Sequence, residues 1–315
     1  MLTSLEELGR RVGATVAPRL AAVKVDGLAL PREAGPTHLG VAAPHLDSYG
    51  ATAAAAVMST RDGALDDFVV DDLFVACARL TAWLTVVLPK ASRTLSIPAD
   101  AQIHPTATVE NGASIGRGVT LGANVVVGKC AVVGDYATVG PNSVISGRAV
   151  IRQRVQIGPG CVIGDAGFSF IRDGYRWLKL PSFGTVDIGE DAHILGHTVV
   201  HAGVFGNTRI GRRCALDSHV LIGHDSTIGD DTAIAGHTAA AGSVCIGAGC
   251  RIGGKVGVAD GVTIADGVTV TGGSLVTRSL NRPNSRYSSG WPAEHSGRWW
   301  RRIAKLKRKF PDNTN

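Results

Sequence analysis

The sequence predicts a mainly β protein whose middle is a parallel β-solenoid, and three regularities predict it. Aliphatic residues recur every six positions from Ile103 through Val109, Ile115, Leu121, Val127, Val133, Val139, Ile145, Ile151 and Ile157 to Ile163. The beat returns at Ile188 and Ile194, slips phase, and then holds from Ile210 through Leu216, Ile222, Ile228, Ile234, Ala240, Ile246, Ile252, Val258, Ile264 and Val270 to Val276. Four residues after most of these stands something small, such as Ala107, Ala113, Cys214, Ser226, Thr232 or Thr238. Glycine commonly follows the aliphatic residue, as at Gly116 and Gly247. A helix needs apolar residues three and four apart, which this beat does not supply. A short fixed period is the mark of a solenoid, in which each turn buries its inward residues against the next. Six residues make one short strand and one turn. The inward aliphatic fills the core, the small residue fits beside it, and glycine is expected to relieve the corner.

The flanking elements follow in chain order. Residues 1–98 read as a separate α/β domain. Thr3 with Glu6 forms a capping-box start for a helix through Leu8 and Val12. Val23-Lys24-Val25 and Ala54–Val57 are strand-like. Asp71 and Asp72 precede a helix with apolar Phe74, Cys77, Leu80, Trp83 and Leu84. Residues 99–280 form the solenoid, with interruptions at Asp165–Asp187 and Thr198–Arg209; such insertions leave one face and often build sites. Residues 281–315 read as a linker with Pro283 and Pro292, then a basic amphipathic helix from Gly297 to Phe310 carrying Trp299, Trp300, Ile303 and Leu306.

Composition narrows the class. Aromatic residues are only 5%, which suits a thin solenoid core. The net charge is +6, and Arg298, Arg301, Arg302, Lys305, Lys307, Arg308 and Lys309 crowd the end of the chain. Such an end faces an acidic partner or a membrane surface, or is simply a solvated helix face. Cys161, Cys214 and Cys250 fall on the small inward position, Cys77 lies in an apolar helical stretch, and no C-x-x-C occurs among the six cysteines. With no signal-peptide pattern and no apolar run of spanning length, a cytoplasmic location is expected.

The chemistry gathers in the second half. His193, His197, His201, His219, His224 and His237 arrive close together. Residues eighteen apart take equivalent places on adjacent coils, so His224 and Gly242 are expected one rung apart. A general base beside a backbone N–H is what acyl transfer needs: one takes the proton of the nucleophile, the other supports the oxyanion. For a single histidine, a surface imidazole is the plainer reading. His219 and His237 should also stack. His219-x4-His224 has a spacing at which imidazoles could share a metal, against the alternative of an exposed polar ladder.

These motifs resemble the UDP-3-O-acylglucosamine N-acyltransferases of lipid A biosynthesis, which are left-handed parallel β-helix acyltransferases. The resemblance runs over nearly the whole chain. It is carried by Ile103–Ala107, Gly164–Phe170, Leu216–His224, Ala241-Gly242-Ser243, Ile252-Gly253-Gly254 and Tyr287–Gly290. It implies a left-handed coil, a homotrimer with its sites in clefts between solenoids, His224 as general base and Gly242 as oxyanion donor. It further implies Phe168, Phe170, His201, His219 and His237 as substrate-binding residues and Leu275 as the floor of an acyl cleft. The donor is a 3-hydroxyacyl thioester on the phosphopantetheine of acyl carrier protein, an acidic partner for the basic helix. The acceptor is a UDP-amino sugar. No metal or other cofactor is implied, and no nucleic acid.

Several positions depart from the family pattern. His201-Ala202-Gly203 replaces Asp-Arg-Gly, His219 replaces a glutamine, His237 replaces a glycine or glutamine, and a second family histidine falls at Gly261. The stretch His38–Leu46 lacks the aromatic pair that sandwiches uracil. An acyltransferase acting on another nucleotide amino sugar is therefore the nearest alternative. A zinc lyase resembling the γ-class carbonic anhydrases, with His201, His219 and His224 as ligands, is the alternative of another class.

Overall fold

In a computed structural model, the structure describes residues 2–29, 34, 36–41, 54, 56–60, 68–82, 84–86, 95–147, 149–290 and 295–309. Ala42–Leu46 of the uracil stretch, Trp83, Pro292 and Phe310 lie outside the described residues.

The six-residue beat folds as a three-sided coil. Each strand is two to four residues long and pairs in parallel with the strand one coil away, in an eighteen-residue register such as Thr120↔Thr138 and Leu121↔Val139. Three sheets result. Sheet I, with ten strands, runs from Gln102–Ile103 to Arg286–Tyr287; sheet II, with nine, from Thr108–Val109 to Leu275–Val276; sheet III, with eight, from Ser114–Ile115 to Thr263–Ile264. The inward aliphatics are the core: Ile145, Ile151, Ile163, Ile188, Ile194, Leu216 and Ile222 are fully buried. Cys161, Cys214 and Cys250 are buried at the small position as expected, and burial pushes the Cys214 thiol up to about 11. Hydroxyls at that position are satisfied across the corner. Thr232 and Thr238 donate to Gly247 O and Gly253 O at 2.8 Å and accept from Cys250 N and Val256 N one coil on. Buried polar groups of this kind cost little only because they are paired.

The glycine that follows many of the inward aliphatics does a different job from the one expected. Apart from Gly164, at φ 91°, it does not supply a left-handed corner. That conformation falls two residues later and is taken mostly by non-glycine residues, including Asn124, Asn142, Asp225, Asp231, His219 and His237, at φ 57–60°. Asn, Asp and His tolerate this region best after glycine. The glycine instead lets coils approach: a Cβ on Gly122 would sit 2.8 Å from Pro141 N, and one on Gly140 2.7 Å from Pro159 N.

Two insertions interrupt the stack. Val150–Ile151 pairs with Asp187–Ile188 because a hairpin, Phe170–Asp173 with Arg176–Lys179, leaves the corner between. Val199–Val200 pairs with Leu221–Ile222, twenty-two residues on, so the phase slip is a four-residue excess in the loop that follows His201. The segment read as a linker from 281 carries one more strand, Arg286–Tyr287, which pairs in parallel with Thr269–Val270.

The N-terminal residues form a six-stranded, largely parallel sheet with helices α1 (Leu5–Val12) and α2 (Leu73–Leu80). Ser4, not Thr3, caps α1 and accepts from Glu7 N at 3.3 Å; Thr3 and Ser4 both pair with the strand Lys24–Val25. Asp72 caps α2, accepting from Phe74 N and Val75 N. This domain does not close its core alone. Phe183 and Phe205, one from the return of each solenoid insertion, join Leu5, Leu39, Met58, Phe68 and Leu80. Their rings stack at 5.5 Å, and Phe74 of α2 meets Phe205 edge-on at 5.4 Å. Arg79 of α2 also binds Asp173 of the hairpin through its Nε at 3.0 Å. The C-terminal helix α3 (Ser296–Lys309) buries none of its described side chains, and Trp300 is 66% exposed.

The packing sets a stability prediction. Ile145→Ala, deep in the solenoid, should lower unfolding stability by about 2–5 kcal/mol, read by denaturant melts monitored by circular dichroism.

Candidate active site

The corner that follows sheet II gathers most of the candidate residues. His224 and Gly242 sit on neighbouring rungs, each two residues beyond an inward residue of sheet II. A Cβ on Gly242 would lie 2.6 Å from His224 Nε2, so the imidazole edge is aimed at the glycine backbone. Among the described residues the Gly242 N–H donates no hydrogen bond. At the matching place on other corners, the N–H groups of Arg212 and Ala248 are each taken by an aspartate eighteen residues on, at 2.8 Å. Asp260 occupies that place for Gly242 without taking the bond, which leaves a donor beside the imidazole.

Asp225 is the residue that sequence reasoning missed. His224 Nδ1 lies 2.9 Å from Asp225 Oδ2. The same carboxylate accepts from Val204 N at 3.0 Å and from Gly206 N at 2.9 Å, both in the second insertion. Burial alone would raise the Asp225 carboxyl, but the His224 bond and the two backbone donors outweigh it and hold it below the usual range. An ionised carboxylate only accepts. His224 therefore carries its proton on Nδ1 when neutral and presents a lone pair at Nε2. The Asp225 hydrogen bond raises the imidazole pKa above its ordinary value against the effect of burial, and Asp260 adds to the rise. The only sequence signal was the acidic residue directly after His224.

The other candidates divide between two corners. His201 lies one rung below His224, paired at a bulge with Asp165. Its ring is half-buried under Gly167, where a Cβ would come within 2.6 Å of it. Burial pushes its pKa down, with Asp165 opposing and His224 adding to the fall. Its buried Nδ1 has no hydrogen-bond partner among the described residues. Phe168 and Phe170 leave this same corner in the first insertion, 5.1 Å apart, with Phe168 77% exposed. His219 and His237 stand instead on the corner before sheet II. They stack at 4.8 Å as expected, and His197 extends the stack at 5.1 Å. The three histidines read as a zinc set thus do not converge, since His219 is held in this stack and His224 is turned to Asp225. Among the described residues no group of three or more His, Cys, Asp or Glu is arranged to hold a metal ion.

A three-sided coil of six-residue units is the fold of a hexapeptide-repeat protein. The family description "Bacterial transferase hexapeptide (six repeats)" matches residues 96–129 and 130–165. Relatives named UDP-3-O-acylglucosamine N-acyltransferase align along most of the chain. The protein from Pseudomonas syringae pv. tomato is 36% identical over 300 residues, covering 90% of this chain and 85% of its own. That from Pseudomonas paraeruginosa is 39% identical over 320 residues, covering 96% and 90%. Among solved structures, LpxA from Acinetobacter baumannii shares the fold at a TM-score of 0.54 and 22% identity, over 68% of this chain and 86% of that one. The UDP-N-acetylglucosamine acyltransferase of Bacteroides fragilis does so at 0.51 and 22%, over 70% and 87%. The chain belongs to the UDP-3-O-acylglucosamine N-acyltransferase family.

The geometry predicts a titration. Asp225→Asn should lower the His224 pKa toward the ordinary histidine range, because the largest influence raising it is removed. Histidine-selective carbon-labelled NMR over pH 5–9 reads it directly, with His224→Gln used to assign the signal.

Proposed function

We propose that the protein transfers a 3-hydroxyacyl chain from acyl carrier protein to the 2-amine of a UDP-3-O-acylglucosamine. The observation that carries this reading is the His224–Gly242 pair: a base with a free Nε2 lone pair beside an unengaged backbone donor, on a chain of this family. The acceptor amine attacks the thioester carbonyl, and the carbonyl oxygen takes up negative charge facing the Gly242 N–H. His224 Nε2 takes the proton from the amine nitrogen. Collapse forms the amide and breaks the C–S bond, and the imidazolium returns its proton to the leaving phosphopantetheine sulfur. Electrostatic support of this kind works best where water is excluded.

The His224 side chain stays 24% exposed in the single chain. A groove of about 480 Å³, lined by His193, Leu195, Asp217 and Arg251 among others, lies on the outer face of sheet I and not at His224. The outer face of sheet II suggests the missing wall. Val126, Val144, Val162, Val199, Leu221, Ala239 and Leu275 align in register along it, with Leu221 37% and Leu275 66% exposed. An apolar stripe of this length favours a second copy. A homotrimer packed through sheet II would form a cleft beside His224, with Leu275 as its floor. The exposed basic helix α3 suits acidic acyl carrier protein. No helix among the described residues is long and apolar enough to cross a membrane. We place the reaction in the cytoplasm.

Two measurements test the reading. Purified protein with acyl carrier protein thioesters and a panel of UDP-amino sugars should yield, by mass spectrometry, the N-acylated product of UDP-3-O-acylglucosamine; acylation of a different amino sugar alone would reassign the acceptor. His224→Ala should cut turnover by roughly a hundred- to ten-thousand-fold while light scattering still reports a mass near three times 32.6 kDa. Near-normal turnover in that variant would remove His224 as the base.

A further inference from the structure

The N-terminal domain is joined to the candidate base by an unbroken set of contacts. The second insertion is the link. On one side Phe205 enters the N-terminal core, stacked on Phe183 and met edge-on by Phe74 of α2. On the other side the residues flanking Phe205 hold the Asp225 carboxylate: Val204 N–H donates to Oδ2 and Gly206 N–H to Oδ1. The loop itself has little freedom. Phe183 N–H donates to Val204 O at 2.7 Å, Ser182 Oγ to Gly203 O at 2.6 Å, and Thr185 N–H to Asn207 Oδ1 at 3.2 Å. Gly203 admits no side chain, since a Cβ there would lie 2.7 Å from Asp225 Oδ1. Ring packing at Phe205, together with these bonds, sets where two N–H groups point, and those N–H groups bind the carboxylate that holds His224.

We propose that Phe205 is a positioning residue for acyl transfer, and that docking of the N-terminal domain through it keeps Asp225, and so His224, in the reactive orientation. The inference rests on His224 as the base. It gives the N-terminal domain a part in the chemical step that is separate from any nucleotide binding. Asp225 is the only one of the charged groups around His224 that the loop holds. Asp260 approaches from the rung above and His201 from the rung below. A misplacement of about 1 Å can cost a hundredfold in rate, so a loosened loop is sufficient to matter.

The test is a double-mutant cycle on the full-length protein, with Phe205→Ala, Asp225→Asn and the pair. Phe205→Ala should lower kcat roughly ten- to a hundredfold with the acceptor KM changed less than threefold. The acidic limb of its kcat–pH profile should move to lower pH, because His224 loses the carboxylate that raises its pKa. In the Asp225→Asn background the same substitution should cost little more, since both act through one carboxylate. Phe205→Leu, which keeps an apolar side chain in the core, separates folding from positioning: thermal melts should stay near wild type while kcat and the pH limb shift partway. Three results would overturn the proposal: multiplicative losses in the double mutant, a kcat and pH profile unchanged in folded Phe205→Ala, or an effect confined to KM. An active His224→Ala variant would instead remove the base assignment itself, a distinct outcome.

Discussion

The structure depends on one constraint: adjacent coils must stack in parallel at an eighteen-residue register, close enough for continuous backbone hydrogen bonding. This demand explains features that otherwise look separate. It places glycine after the inward aliphatic, because a Cβ there would strike the next coil. It puts a small or hydroxyl-bearing residue at the corner, where Ser143 Oγ reaches Gly158 O at 2.9 Å and the next coil's N–H returns the bond. It also makes side chains at one phase of the repeat near neighbours in space. The solenoid is thus a ruler on which functional groups are set at fixed offsets, and His224 beside Gly242 is one such setting.

The insertions add what a ruler lacks. A regular coil exposes its corners and holds no side chain from behind. Where the register lengthens, the extra residues fold back along the corner. The second insertion supplies two N–H donors to Asp225, and both insertions supply aromatic rings to the N-terminal core. The site corner is therefore supported from one side by the next coil and from the other by the second insertion, whose Phe205 packs against the N-terminal core. The opposite edge of sheet II has no such support. There His197, His219 and His237 simply stack, in a backbone conformation that histidine tolerates well.

What could be read from the sequence follows the same division. The core aliphatics, the buried cysteines, the His219–His237 stack and the His224–Gly242 adjacency all follow from translation by eighteen, so counting residues recovers them. His197 escaped that counting because it stands twenty-two residues before His219, across the second insertion. Asp225 and Phe205 escaped for a stronger reason. Their partners, Val204, Gly206, Phe183 and Phe74, are set by how two loops and a helix pack, and no period relates them. The cap of α1 falls one residue later than the capping-box spacing suggests, because the helix begins at Leu5 and Ser4 stands directly before it. The role of the glycines was misread because close approach and left-handed backbone give the same residue preference in a sequence.

The borrowed rings of the N-terminal core have a consequence for synthesis. Domains generally fold as units, with the N-terminal one first as the chain leaves the ribosome. Here the core built from α1, α2 and their sheet stays open until Phe183 and Phe205 have been made and the solenoid between has begun to coil. Until then the apolar side chains that Phe183 and Phe205 cover lack those two rings. The order of emergence thus makes the N-terminal core wait for two rings made later, and a chain halted between α2 and the second insertion would lack both.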